Sequence, residues 1–210
     1  MKVELISITQ PRVKGLNTAE ELIAYCARVS NPDNQMNTET STKLLQYLVN
    51  NKHWSPFEMA SMCVSIETSR AIAAQILRHR SFSFQEFSQR YSEVSAIEPI
   101  EIRGVAETNR QSSSEIFEDE DLSRAISQHL GEGFNLYAEL LKAGVAKETA
   151  RFILPLTTST KLYMHGTIRS WMHYLAIRND EHTQKEHRLI AKGIKDIMEI
   201  EFPSISKLTN

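Results

Sequence analysis

With 210 residues, 41% of them hydrophobic and 24% charged, and only 7 glycines and 6 prolines, the chain has the composition of a soluble globular protein rather than a disordered or fibrous one. A formal charge of -2 argues against general polyanion binding as its main work, because that interaction scales with the number of phosphates neutralised, while local basic patches stay open. Cys26 and Cys63 form no CxxC pair, the opening MKVELISITQ lacks a signal-peptide core, and no apolar run approaches the ~20 residues that span a bilayer, so a reducing, cytoplasmic setting without membrane insertion is expected.

VELISI reads as a first strand, followed by a turn around Pro11 to Asn17. Thr18 and Glu21 then make a capping box for the helix TAEELIAYCARVS, which ends before the turn-forming NPDNQ. STKLLQYLV predicts a second helix with Leu44, Leu45 and Leu48 inward, stopped by Asn50 and Asn51. In HWSPFE, Ser55 as N-cap, Pro56 at N1 and Glu58 at N3 signal one helical turn. Ala60, Met62, Val64 and Ile66 then alternate with Ser61, Cys63, Ser65 and Glu67, the pattern of a strand with one buried face.

Thr68 or Ser69 can cap a helix RAIAAQILRHR, with Ile72, Ala73 and Ile76 inward and Gln75 and Arg78 sharing another face. Residues 101–118 show little periodicity and read as a surface excursion. DLSRAISQHLGEGFNLYAELLKAG is helical, weakened at Gly131 and Gly133 and closed by Gly144, and a short helix from Ala146 to Phe152 stops before Pro155. TTSTKLYMH reads as a further strand ended by Gly166, and Thr167 caps the helix IRSWMHYLAIR, with Ile168, Trp171, Met172 and Leu175 inward. Asp180 is expected to start the last helix. With no tandem repeat or linker, these elements predict one compact α+β domain over residues 1–210, a small, largely antiparallel sheet flanked by helices.

The chemistry concentrates in RHRSFSFQEFSQRY, Arg78 to Tyr91. Cations ending a helix gain from its dipole, which explains Arg78, His79 and Arg80 structurally but leaves Glu86, Ser88 and Arg90 unexplained. Together these groups offer fork donors, a hydroxyl and an acceptor, an inventory that suits a phosphorylated ligand with a polar heterocycle. Phe82, Phe84 and Phe87 are either core residues or stacking surfaces; in the second case, with Arg78, Arg80 and Arg90, they would make an RNA or single-stranded nucleic-acid binding module. His53 beside Trp54 either stacks on a ring or bonds locally. Neither cysteine has a sequence-local partner that marks a catalytic thiolate. His182 and Glu186, four apart, carry no zinc signature, and no metal site is expected. No GxGxxG or GxxxxGK[ST] loop is present.

RHR, seven residues, Ser, one residue, Arg resembles the motif of flavin-dependent thymidylate synthases, matched here by Arg78, His79, Arg80, Ser88 and Arg90. The resemblance continues in ARVSNPDNQ, HWSPFE, RFILP (Arg151 to Pro155) and IRSWMHYLAIRNDEH (Ile168 to His182), nearly the whole chain. It implies an enzyme that methylates deoxyuridine monophosphate (dUMP) to thymidine monophosphate. The carbon comes from methylenetetrahydrofolate and the reducing equivalents from NADPH through bound FAD. The resemblance also implies a homotetramer with shared active sites, no cysteine nucleophile, and neither nucleic acid nor membrane as partner. Carried over, Gln75, Arg78, Glu86, Phe87, Ser88, Gln89, Arg90, Arg151 and Arg178 are expected at the nucleotide, Arg151 as a phosphate contact supplied across the assembly. Backbone groups are expected to count as much as side chains at Phe87 and Gln89. His53, Ser55, Arg78, His79, Arg80, Glu86, Thr167, Arg169 and His173 are expected at the flavin. Arg178 is the expected catalytic residue, at the uracil carbonyls. Met59, Gln89, Thr167 and His173 depart from the commonest family pattern; Thr and His still donate hydrogen bonds, so altered flavin contacts are expected there.

Overall fold

The computed structural model describes residues 1–107 and 112–207; within the 101–118 excursion, residues 108–111 lie outside the described part. In chain order the elements are β1 (Lys2–Ile8), α1 (Ala19–Ala27), α2 (Ser41–Asn50), β2 (Ser61–Ser69), α3 (Arg70–Ile76), β3 (Ser83–Glu86), β4 (Arg103–Val105), β5 (Ser113–Ile116), α4 (Glu120–Lys142), α5 (Lys147–Ala150), β6 (Ser159–Thr167), α6 (Ile168–Arg178), α7 (Lys185–Glu201) and α8 (Pro203–Ser206). This is an α+β fold. One sheet has the order β1-β2-β6-β3, and β4 pairs with β5 in an antiparallel ribbon at the predicted excursion. Backbone bonds from Ile168 N–H to the Ala60 carbonyl and from Arg70 N–H to the Thr158 carbonyl bracket β2 and β6 as antiparallel neighbours.

The described residues fall into two compact units interleaved along the chain. The first comprises Met1, Glu67–Ile76 and Glu86–Leu162; the second comprises Lys2–Ile66, Leu77–Gln85 and the chain from Tyr163 onward. In the first, Val94, Tyr137 and Ala150 form a small core against Phe134, Leu140, Leu141, Val145 and Leu154. The Tyr137 hydroxyl accepts the Val94 N–H at 3.3 Å, so the buried phenol keeps a partner. Asp119 caps α4 by accepting the Leu122 N–H at 2.9 Å, and the helix runs unbroken through Gly131 and Gly133.

In the second unit, the Thr18 and Glu21 capping box forms as expected: the Thr18 hydroxyl accepts the Glu21 N–H at 3.1 Å and the Glu21 carboxylate accepts the Thr18 N–H at 3.1 Å. α1 packs on α2, α6 on α7, and α7 on β1. Buried Glu20 accepts the N–H groups of Ser204 and Ile205, each at 2.8 Å, and so closes the N-terminus of α8. Trp171, fully buried, donates its indole N–H to the Met62 carbonyl at 3.1 Å, tying α6 to β2.

Several local expectations shift. Ser55 lies inside a 3-10 turn, Ser55–Glu58, entered from Trp54 without a side-chain cap. Leu44 is half-buried while Leu45 and Leu48 are buried, and Ser65 joins the buried face of β2. α3 stops at Ile76, so Arg78, His79 and Arg80 leave the helix and the dipole argument for them fails. The reason lies just downstream. Phe82 turns into the core, its ring 4.6 Å from that of Trp171, and β3 begins at Ser83, a strand that the sequence reading did not anticipate. Gly166 lies within β6: a Cβ there would sit 2.4 Å from the Phe82 ring, so the glycine permits close approach and does not end the strand. Asp180 does not start the last helix; it accepts the His182 N–H at 2.8 Å in a local turn, and α7 begins at Lys185.

Candidate active site

The expected site residues divide between the two units. The first unit holds Gln75, Glu86, Phe87, Ser88, Gln89, Arg90 and Arg151. Glu86, the last residue of β3, has 18% of its side chain exposed, so an uncompensated charge there would be costly. Compensation comes from Arg70, whose Nη1 donates to Oε1 at 2.6 Å, and from the Thr160 hydroxyl, which donates to the same oxygen at 3.0 Å. A charge-assisted bond of this kind contributes about 1.5–3 kcal/mol. Phe87 donates its N–H to the Lys161 carbonyl at 2.8 Å, continuing the pairing of β3 with β6, so its backbone amide is already engaged. The Ser88 carbonyl accepts from Tyr91 and Ser92 at 3.1 and 3.0 Å, a turn that fixes the Ser88 to Arg90 run, with Gln89 buried and Ser88 and Arg90 exposed.

Glu148 meets both expected site arginines of this unit. Its carboxylate pairs with Arg90 Nη2 at 3.2 Å, and its carbonyl accepts from Arg151 Nε at 3.3 Å. Two arginines 61 positions apart in sequence therefore meet at one residue, a convergence that sequence separation hides. The Arg90 pair is well exposed, so it contributes only about 0–1 kcal/mol and is easily exchanged for a stronger anion.

The second unit holds His53, Ser55, Arg78, His79, Arg80, Thr167, Arg169, His173 and Arg178. Its centre is His79. Arg178, the last residue of α6, donates Nε–H to His79 Nε2 at 2.9 Å. Burial first, then electrostatic repulsion from Arg178, His173 and Arg78, holds the His79 pKa at about 4. The imidazole is therefore neutral near pH 7, and since Nε2 accepts, its proton sits on Nδ1. The ring lies edge-on to Tyr174 at 4.9 Å between centroids. Tyr174 in turn shares a 3.0 Å bond between its hydroxyl and Nε2 of fully buried His187. Burial, Arg178 and His79 push the His187 pKa down to about 3, and burial raises that of Tyr174, so both rings are neutral.

Arg78 and Arg80 are exposed and make no hydrogen bond or ion pair among the described residues. Arg169 pairs with Glu58. The Thr167 hydroxyl accepts the Ser170 N–H at 3.3 Å, so one lone pair serves the α6 cap. His53 and Ser55 make other contacts: His53 packs edge-on to Tyr47 at 6.0 Å, and Ser55 lines a cavity of about 490 Å³ with Tyr25, Cys26, Gln35 and Met59. Arg70, Thr160, Glu148, Tyr174 and His187 were not read from the sequence as site residues.

Phe82 is 9% exposed and packed on Trp171, which removes it from any base-stacking surface. Burial raises the pKa of both Cys26 and Cys63, away from the thiolate form. Among the described residues, no cluster of three or more His, Cys, Asp or Glu side chains is placed to hold a metal ion.

An α+β chain that joins an RHR segment to a helix-terminal arginine, without an activated thiol, has the features of the flavin-dependent class of nucleotide methylases. The thymidylate synthase complementing protein family matches residues 12–204. A probable flavin-dependent thymidylate synthase of Paramecium bursaria Chlorella virus 1 is 52% identical over 99% of this chain and 98% of its own length. The flavin-dependent thymidylate synthase of Synechocystis is 49% identical over 98% of each chain. Among solved structures, a UMP/dUMP methylase, PolB, of Streptomyces cacaoi, bound with 5-Br dUMP, superposes with a TM-score of 0.84 at 25% identity, covering 99% of this chain and 93% of that one. The chain belongs to the flavin-dependent thymidylate synthase family.

Proposed function

We infer that the protein catalyses reductive methylation of dUMP to thymidine monophosphate, taking the carbon from methylenetetrahydrofolate and reducing equivalents from NADPH. The observation that carries this reading is the bond between His79 of the RHR segment and Arg178, which joins the most specific parts of the family pattern. The donor set fits FAD: Arg78 and Arg80 are exposed guanidinium forks without ion-pair partners among the described residues, suited to a dinucleotide's phosphates, with His53, Ser55, His79, Glu86, Thr167, Arg169 and His173 as further contacts. FAD, when bound, supplies the redox chemistry that the side chains lack.

The nucleotide is assigned to Gln75, Arg78, Glu86, Phe87, Ser88, Gln89, Arg90, Arg151 and Arg178, with Arg90 taking the phosphate in exchange for the Glu148 carboxylate and Arg151 a further phosphate contact supplied across the assembly. Arg178 acts as a fixed positive charge. Its Nε is held by His79, which leaves the terminal nitrogens to meet negative charge developing on the pyrimidine carbonyls, a preorganised arrangement that favours the charged transition state. A neutral His79 can accept that bond; a protonated one would repel the guanidinium. The family match over residues 12–204 supports a single catalytic domain over 1–210 with an excursion at 101–118; membership of the family is the ground for a homotetramer with shared sites in the cytoplasm. Among the described residues no helix is long and apolar enough to cross a membrane. Replacing Arg178→Ala should lower thymidylate formation at least ~10²-fold while the flavin absorbance of the purified protein persists. Normal turnover in that variant would refute the assignment.

A further inference from the structure

We propose that Arg70 and Thr160 are positioning residues that lock Glu86 by one oxygen and thereby present the other as a single, oriented acceptor to the nucleotide. The inference rests on the nucleotide assignment above and deepens it. Three element ends converge on this carboxylate: Glu86 closes β3, Thr160 lies near the start of β6, and Arg70 is the first residue of α3. Both protein donors reach the same atom, Oε1, at 2.6 Å from Arg70 Nη1 and 3.0 Å from the Thr160 hydroxyl. Oε2 makes no hydrogen bond among the described residues.

A bidentate fork from Arg70 would have engaged both oxygens and closed the carboxylate to any ligand. The observed end-on contact instead fixes the carboxylate plane while leaving two lone pairs of Oε2 to take N–H or O–H donors. Those donors belong to a pyrimidine imide or a sugar hydroxyl; a phosphate, mostly dianionic at neutral pH, is repelled from that position. Arg70 is itself anchored: its N–H donates to the Thr158 carbonyl at 2.9 Å, and the next N–H, of Ala71, to the Leu156 carbonyl at 3.0 Å. The guanidinium thus hangs from a backbone tied to the segment that leads into β6, and Thr160, 5% exposed, is the second residue of that strand. The clamp is built from a rigid frame, so it can discriminate by geometry as well as by charge.

The experiment compares dUMP binding to the FAD-loaded protein, with steady-state kcat and KM and thermal melting in parallel. Arg70→Met, Arg70→Lys, Glu86→Gln and the double variant Arg70→Met/Glu86→Gln are each set beside the wild type. Arg70→Met should weaken dUMP binding by tenfold or more. Arg70→Lys, which restores a cation but not the same fork, should recover part of that loss. The double variant should bind no worse than Glu86→Gln alone, because Arg70 acts only through Glu86. Unchanged dUMP binding in Arg70→Met, or losses that simply multiply in the double variant, would overturn the proposal. A Glu86→Gln protein that binds dUMP like the wild type would instead refute the nucleotide role of Glu86, and the clamp with it. If Arg70→Met melts early, Arg70→Lys decides: full loss of binding with a normal melting temperature contradicts a charge clamp, and partial recovery supports it.

Discussion

Acidification should destabilise the second unit through His187, and the size of the effect follows from its surroundings. The side chain is fully buried, bonded to the Tyr174 hydroxyl at 3.0 Å and close to Arg178 and His79, which with burial hold its pKa at about 3 against 6.5 in the unfolded chain. Above pH 6.5 both states are neutral there and the full stability is present. As pH falls below 6.5 the unfolded chain takes up a proton that the folded chain refuses, so stability declines until the folded pKa is reached. At pH 5 the deficit from this group alone is about 2 kcal/mol, a large part of a typical net stability of about 5–15 kcal/mol. His79, held at about 4, pushes in the same direction over the window from pH 6.5 to 4, and because His79 lowers the pKa of His187 the two effects are not independent. Urea unfolding at fixed protein concentration, followed by tryptophan fluorescence at pH 7.5, 6 and 5, measures the loss. The wild type should lose at least about 2 kcal/mol by pH 5, and His187→Gln, which keeps a neutral donor and acceptor, should lose about 2 kcal/mol less. A flat wild-type profile, or the same slope in both proteins, would show that His187 does not carry the acid sensitivity.

Gly166→Ala should cost about 1–3 kcal/mol and lower the melting temperature, since the new methyl would lie 2.4 Å from a Phe82 ring backed by Trp171; a wild-type melting curve would contradict that packing. Glu148→Gln removes the carboxylate that competes for Arg90, so dUMP should bind about two- to fivefold more tightly, consistent with an exposed pair of under about 1 kcal/mol; weaker binding in titration calorimetry would show that Glu148 organises the site instead. A Cys26→Ser/Cys63→Ser protein should keep its turnover within about threefold, because burial holds both thiols protonated, and loss of activity with an intact fold would reinstate a thiolate.

Those features that depend on neighbours in sequence were legible in it. The Thr18 and Glu21 box, the alternation along Met62, Val64 and Ile66, and the inward stripe of Ile168, Trp171, Met172 and Leu175 all reappear, because each is decided within two or three turns of chain. The RHR segment was readable as a site by its residues but not by its conformation. A helical pattern runs through Arg80, yet burying Phe82 against Trp171 and Tyr174 ends α3 early, tertiary packing overriding local propensity. Arg70 reads as an ordinary first-turn residue, and only pairing across the sheet sets it on Glu86. His187 lies on the buried side of α7 like an apolar residue, and its partner Tyr174 is thirteen positions away on another helix. Arg151 and Arg90 meet at Glu148 for the same reason: the contact belongs to the packing of α5 beside the loop after β3, and no spacing rule encodes it.

Flavin-dependent methylation of dUMP can be followed in one experiment, by supplying the purified protein with FAD, NADPH, dUMP and carbon-13-labelled methylenetetrahydrofolate under anaerobic conditions and recording the flavin absorbance together with the nucleotide mass. A bound oxidised-flavin spectrum that bleaches with NADPH is expected, with labelled thymidine monophosphate forming in the wild type and not in Arg178→Ala. A protein that stays colourless after FAD is added, or that reduces flavin without ever methylating dUMP, would contradict the proposed activity.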